Sequence, residues 1–186
     1  MSKSREEFIR SLDEPAERGT HPAALDEDRL LKDCAIEKGR ASGPGGQHRN
    51  KVSTHVTITH EPTGISAQAG ERRSAEQNRT VATTRLRLEL AVYERVPVPA
   101  GEIRSELWRS RVAKGRISCS ERHADYPAML AEALDVIDAC GFDHAKAATR
   151  LGCTPTQLVK LVAKHPPALA RLNKQRQERG MRPLKR

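Results

Sequence analysis

The sequence predicts an α+β fold: a small β-sheet covered by one long helix, then an all-α helix-turn-helix-like unit and a basic tail. Three observations predict it. Val52, Thr54, Val56 and Ile58 alternate with Ser53, His55, Thr57 and Thr59, and Ile65, Ala67 and Ala69 alternate again, which is the period of half-buried strands. Helical spacing follows, in Val81, Arg85 and Leu88 and in Ala82, Leu86 and Leu90. Beyond Pro127, apolar stripes of helical period are separated by Gly141-Phe142-Asp143 and Gly152.

The elements follow in order. Residues 1–19 read as a polar, flexible leader with a short helix around Glu6 to Leu12. Asp26 is the expected N-cap of a short helix through Leu30, Leu31 and Lys32. Cys34 to Lys38 reads as a strand. Glu61-Pro62-Thr63-Gly64 is a turn between the two alternating strands. Ser74-Ala75-Glu76-Gln77 reads as a capping box that opens a helix to about Arg95, whose other face carries Arg79, Arg85 and Arg87. These elements define a unit over residues 20–96. Val96-Pro97-Val98-Pro99-Ala100-Gly101 is the clearest break, and 97–127 reads as a linker with a helix from Glu102 to Val112 around Trp108, ended by Lys114-Gly115-Arg116. Residues 128–173 form the helical unit. Leu130, Ala133, Leu134 and Ile137 line its first helix. Ala147, Ala148 and Leu151 line the second, capped by Asp143 and stopped by Gly152. Thr154-Pro155-Thr156-Gln157 starts the third, along Leu158, Leu161 and Val162, with Pro166-Pro167 as its end. A basic tail covers 174–186.

Composition narrows the function. The 186 residues carry a formal net charge of +9, which favours a polyanionic partner, nucleic acid before membrane. Aromatic residues are only 3%, so stacking of bases on a sheet of Phe and Tyr is not the expected mode. The four cysteines are scattered without ligand spacing, which argues against zinc and against a disulfide framework. Free thiols fit a reducing, cytoplasmic setting. No signal peptide or membrane-spanning stretch is expected, and no cofactor.

The most informative stretch is Arg40-Ala41-Ser42-Gly43-Pro44-Gly45-Gly46-Gln47-His48-Arg49-Asn50-Lys51-Val52. Three glycines and a proline within four positions point to an exposed loop presenting Gln47, with Arg40, His48, Arg49 and Lys51 as a cationic collar. Taken alone, the tripeptide reads more readily as a plain glycine turn on a basic surface. Asp and Glu are absent from Gly39 to His60, so a carboxylate pair, a triad or a metal site has no support there. An amide does not titrate usefully, so Gln47 is no general base. What such a loop offers is a backbone N–H for an oxyanion, a donor worth about 10²–10³ in rate.

Arg40 to Val52, with Thr59-His60-Glu61-Pro62-Thr63-Gly64-Ile65, Glu71-Arg72-Arg73-Ser74 and Asn78-Arg79, resembles the peptidyl-tRNA hydrolase domain of class I peptide chain release factors. The likeness covers roughly residues 30–95. It implies hydrolysis of the ester joining a nascent peptide to P-site tRNA, with the loop in the peptidyl transferase centre of the large ribosomal subunit. It implies catalytic roles for Gly45, Gly46 and Gln47. The Gln47 backbone N–H would stabilise the oxyanion, its side chain would admit only water, and its amide would be open to N5-methylation. Arg49 departs from the family, which usually has a small or apolar residue there. About 40 residues precede the loop, too few for the family's codon-reading domain, and no stop-codon tripeptide motif follows. The chain is therefore closer to short, codon-independent release factors that rescue stalled ribosomes.

Candidate RNA contacts are then Arg40, His48, Arg49 and Lys51 at the loop and Arg72 and Arg73 after the hairpin. The tail adds Arg171, Lys174, Arg176, Arg179, Arg182, Lys185 and Arg186, which would lie in an empty mRNA channel. Residues 128–165 resemble the DNA-binding element of nucleoid and enhancer-binding regulators. Gln157, Lys160 and Lys164 are its candidate contacts, with ribosomal RNA as the natural target, and a compact helical anchor is the competing reading. His55 and His60 read as surface histidines without metal partners, and Trp108 as a packing anchor or an RNA stack. A monomer fits a factor that enters the ribosomal A site. Two functions stand: a codon-independent peptidyl-tRNA hydrolase, or a non-hydrolytic ribosome- or RNA-binding factor acting through the helix-turn-helix.

Overall fold

The computed structural model describes residues 19–39 and 54–185. The expected leader helix at Glu6–Leu12, the start of the second strand at Val52, residues 40–53 and Arg186 lie outside them.

The described chain starts with a tight turn. His21 caps a 3-10 turn, Pro22–Ala24, its Nδ1 accepting from the Ala23 amide at 3.0 Å. Asp26 caps helix α1, Glu27–Lys32, accepting from the Arg29 amide at 2.9 Å. Three antiparallel strands follow: β1 Cys34–Gly39, β2 His55–His60 and β3 Ile65–Ala69, with β2 central. In β2 every second residue is buried, and Val56, Ile58 and His60 point inward. The turn between β2 and β3 closes at Gly64, whose φ of 70° suits glycine and whose amide donates to the His60 carbonyl at 2.8 Å.

Helix α2, Ala75–Tyr93, covers the sheet. Ala82, Leu86 and Leu90 are fully buried, on the stripe that their spacing predicts. The capping box at its start is not made. Ser74 sits at the N-cap without a side-chain bond, and the turn before the helix is held from inside by Asn78 instead. Part of the arginine face is structural, as is Arg95 at the end of the helix. Arg87 donates to the carbonyls of Ala23 (3.0 Å) and Ala124 (3.2 Å), and Arg95 donates to the last carbonyls of α2, among them Ala91 at 3.0 Å and Val92 at 2.9 Å.

Residues 96–101 carry neither helix nor strand but are pinned on both sides. The Val96 amide donates to Asp135 Oδ1 at 3.2 Å, and Arg150 donates to the Pro99 carbonyl at 2.6 Å. Helix α3 is shorter than expected, Glu106–Arg111, because Ser105 is the residue whose hydroxyl accepts from the Trp108 amide. Lys114-Gly115 does not end that helix; it is the tip of a hairpin, β4 Val112–Ala113 and β5 Arg116–Ile117. Both tip residues have positive φ, 49° and 73°, as a two-residue hairpin turn of the primed type requires.

Four helices complete the fold: α4 Tyr126–Ala139, α5 His144–Leu151, α6 Pro155–Ala163 and α7 Pro166–Gln177. Helix α4 is buried over nearly its whole length. Asp143 caps α5, Gly152 ends it with φ 66°, and the Thr154 hydroxyl caps α6 by accepting from the Gln157 amide. Pro166-Pro167 closes nothing off. At the first helical positions an amide has no helical partner to lose, so the prolines open α7. Leu30 and Val56, Leu86 and Trp108, Met129 and Leu158 all belong to one buried apolar cluster, which runs from the sheet to the C-terminal helices.

Candidate functional site

Catalytic candidates Gly45, Gly46 and Gln47 lie among residues 40–53, outside the described residues, as do Arg40, His48, Arg49 and Lys51. The structure does define the frame on which that segment is mounted. Gly39, the last residue of β1, pairs with His55, the first of β2. Antiparallel partners stand about 5 Å apart, so the chain leaves and re-enters the sheet at one point.

Beside that point, Asn78 holds the chain at Thr54. Asn78, on the first turn of α2, is fully buried. Its Nδ2 donates to the Thr54 carbonyl at 2.6 Å and to the Arg72 carbonyl at 3.0 Å, and its Oδ1 accepts from the Arg72 amide at 2.9 Å. The three bonds use both amide hydrogens and the oxygen. The chain emerging from segment 40–53, the turn that carries Arg72 and Arg73, and the start of α2 therefore meet on one amide. Arg72 and Arg73 are both exposed beside it.

The local charge balance is positive. Of the acids here, Glu71 and Glu76, Glu71 is occupied: Arg85 pairs with it at 2.5 Å and also donates to the Gln68 carbonyl at 2.7 Å. The Gly70 amide, Glu71's own amide and then Arg85 hold that carboxyl below its ordinary range. Gly70 is needed here for space. A Cβ on it would lie 2.6 Å from His55 Nδ1. His55 in turn meets Gln68 Oε1 at 3.2 Å. His60 is not a surface residue as expected. It is 3% exposed and bonds Thr63 Oγ1 at 2.8 Å, bracing the turn between β2 and β3. Among the described residues no His, Cys, Asp and Glu cluster could hold a metal ion, and no helix is long and apolar enough to cross a membrane.

The other candidate contacts divide. Lys160, Lys174, Arg179, Arg182 and Lys185 are exposed. Lys164 donates to the Cys119 carbonyl, and Gln157 accepts from the Ile117 amide at 3.3 Å, so these two side chains bond the chain's own hairpin and the segment after it. Arg176 faces inward, unlike the exposed cation expected. It is 7% exposed and donates to the carbonyls of Arg182 (3.0 Å) and Phe142. Its length lets it reach across the fold, a use that a count of basic residues along the tail does not reveal. Arg171 lies 4.5 Å over the Tyr93 ring and Arg179 4.0 Å over Phe142. Asn173 takes and gives bonds with the Leu184 backbone at 2.7 and 3.0 Å, so the chain after α7 folds back on it. Trp108 is a packing anchor. It is fully buried and donates to the Leu151 carbonyl at 2.8 Å.

The site sits inside a recognised domain. The RF-1 domain model matches residues 29–128, more than half of the chain, so the protein belongs to the release factor family. Curated relatives agree. Peptide chain release factor 2 of Sulfurovum sp. (strain NBC37-1) is 48% identical over 63 residues, 34% of this chain and 17% of that protein. Peptide chain release factor 1 of Chlorobaculum tepidum is 40% identical over 103 residues, 55% of this chain and 28% of that protein. Release factor 2 of Lactiplantibacillus plantarum is 49% identical over 71 residues, 38% of this chain and 18% of its own length. The chain thus spans between about a sixth and under a third of these relatives.

Proposed function

We propose that the protein is a codon-independent peptidyl-tRNA hydrolase that frees nascent peptides from stalled ribosomes in the cytoplasm. The observation that carries this reading is an intact Gly45-Gly46-Gln47 within the RF-1 match. The ribosome positions the peptidyl ester, and the Gln47 backbone N–H stabilises the oxyanion that forms as water attacks. The Gln47 side chain excludes larger nucleophiles. No titratable group is required of the protein, which agrees with the absence of Asp and Glu from Gly39 to His60. Arg72 and Arg73 meet ribosomal RNA beside the loop, joined by Arg40, His48, Arg49 and Lys51.

Beyond β3 the described chain is mostly helical, with strands of only two residues. The helices from Tyr126 to Gln177 would act as a helix-turn-helix-like anchor, with Lys160, Lys174, Arg179, Arg182 and Lys185 toward RNA. The rival function, a non-hydrolytic ribosome- or RNA-binding factor or regulator acting through the helix-turn-helix, has less support because Gln157 and Lys164 each bond within the chain.

The test is release from two ribosome complexes, one with an mRNA truncated in the P site and one with a stop codon in the A site. The hydrolase should release peptide from the truncated complex and gain nothing from the stop codon. Release that requires the stop codon would overturn codon independence, and binding without release from either would establish the rival.

A further inference from the structure

We propose that Asn78 is a positioning residue for the hydrolytic loop, coupling the chain that leaves segment 40–53 to the RNA-facing turn at Arg72-Arg73. This rests on the hydrolase reading above and names the residue on which its geometry depends.

Buried asparagine is costly unless satisfied, and Asn78 is fully buried with all three bonds made to main-chain atoms. None of the three serves its own helix. Two fix the Arg72 backbone from both sides, and one reaches 24 residues back to Thr54. A helix cap would satisfy amides of its own first turn, yet the Ser74 side chain at the N-cap is idle while Asn78 is fully engaged. The stabilisation is thus directed at the relative placement of two segments that flank the proposed site. Thr54 is also the first described residue after 40–53, next to the Gly39–His55 pair. When Arg72 and Arg73 dock on phosphates, their main chain carries Thr54 with it through one rigid amide. Catalysis of this kind depends on placement, where an error of about 1 Å can cost roughly 10²-fold in rate.

Two variants separate the parts of the clamp. Asn78→Asp keeps an acceptor for the Arg72 amide, loses both donors and sets a carboxylate against two carbonyls. Asn78→Ala removes all three bonds. Each is compared with wild type for the rate constant and half-saturating concentration of peptide release from truncated-mRNA ribosomes, and for amide hydrogen exchange. Asn78→Asp should lower the release rate constant by about 10²-fold with half-saturation unchanged. In Asn78→Ala, exchange should rise at the Arg72 amide and through 54–56, while protection in α4 to α6 stays as in wild type. Unchanged release and exchange would overturn the proposal, and so would loss of protection across all helices in step with activity, which marks a purely structural residue. If wild type releases nothing, the hydrolase reading falls. The clamp is still decided by exchange: a rise confined to Arg72 and 54–56 supports it, and no rise overturns it.

Discussion

Trp108 illustrates how much a single side chain does here. Its indole is fully buried and its N–H satisfies the Leu151 carbonyl at the end of α5. Trp108→Phe keeps most of the packing but strands that carbonyl. It should cost about 1–3 kcal/mol in urea unfolding, from a buried acceptor left unpaired. The role as packing anchor was legible from one tryptophan in a basic stretch; the partner 43 residues away was not. His165 carries a pH dependence. Burial pushes its imidazole below the ordinary value, with Glu89 opposing weakly. The unfolded state therefore binds a proton that the native state resists. Stability should be complete above about pH 6.5 and decline as pH falls below it toward the lowered native value. Urea midpoints at pH 8 and 5.5 should differ by less in His165→Gln than in wild type. Inward-facing Arg176 and His60 escaped sequence reading for a common reason. Composition counts charge, but a long or ring side chain can spend its polar atoms on carbonyls and hydroxyls far along the chain.

At the scale of elements, period and caps were the readable signals. The alternation in β2, the stripe on α2, and Asp26, Asp143, Gly152 and Thr154 as helix ends all stand where local chemistry puts them. Thr154→Ala should remove the bond to the Gln157 amide and cost about 0.5–2 kcal/mol in thermal or urea unfolding. Gly152→Ala should also destabilise. It demands positive φ of a Cβ residue, and that Cβ would sit 2.9 Å from Arg104 Nη1. Where local rules compete, the sequence was ambiguous. Pro166-Pro167 fits a helix end and a helix start equally well, and the burial of Ala168 and Leu172 selects the start. Ser74 and Gln77 match a capping box, but the nearby Asn78 network fixes the turn by a tertiary route. The hairpin at Lys114-Gly115 hides in a segment too short to show a period.

For the whole molecule, the sequence identified the family through three separate blocks, and the RF-1 match agrees. It did not foresee that one buried cluster links the sheet to the C-terminal helices, because such packing joins residues distant in the chain. That continuity changes how the tail is tested. Deleting residues 171–186 would remove buried Leu172 and Arg176 along with the charge. Replacing Lys174, Arg179, Arg182 and Lys185 by Gln keeps the core. It should weaken ribosome binding and flatten its salt dependence, with the slope falling by up to about 0.7–0.9 for each phosphate no longer neutralised. Unchanged binding would remove these residues from the interface. The central claim rests on Gln47, and single-turnover peptide release from truncated-mRNA ribosomes by wild type, Gln47→Ala and Gly46→Ala tests it most directly. Wild type should release the peptide, with both variants bound but slowed by orders of magnitude. Equal release by all three would contradict a catalytic role for the Gly-Gly-Gln loop.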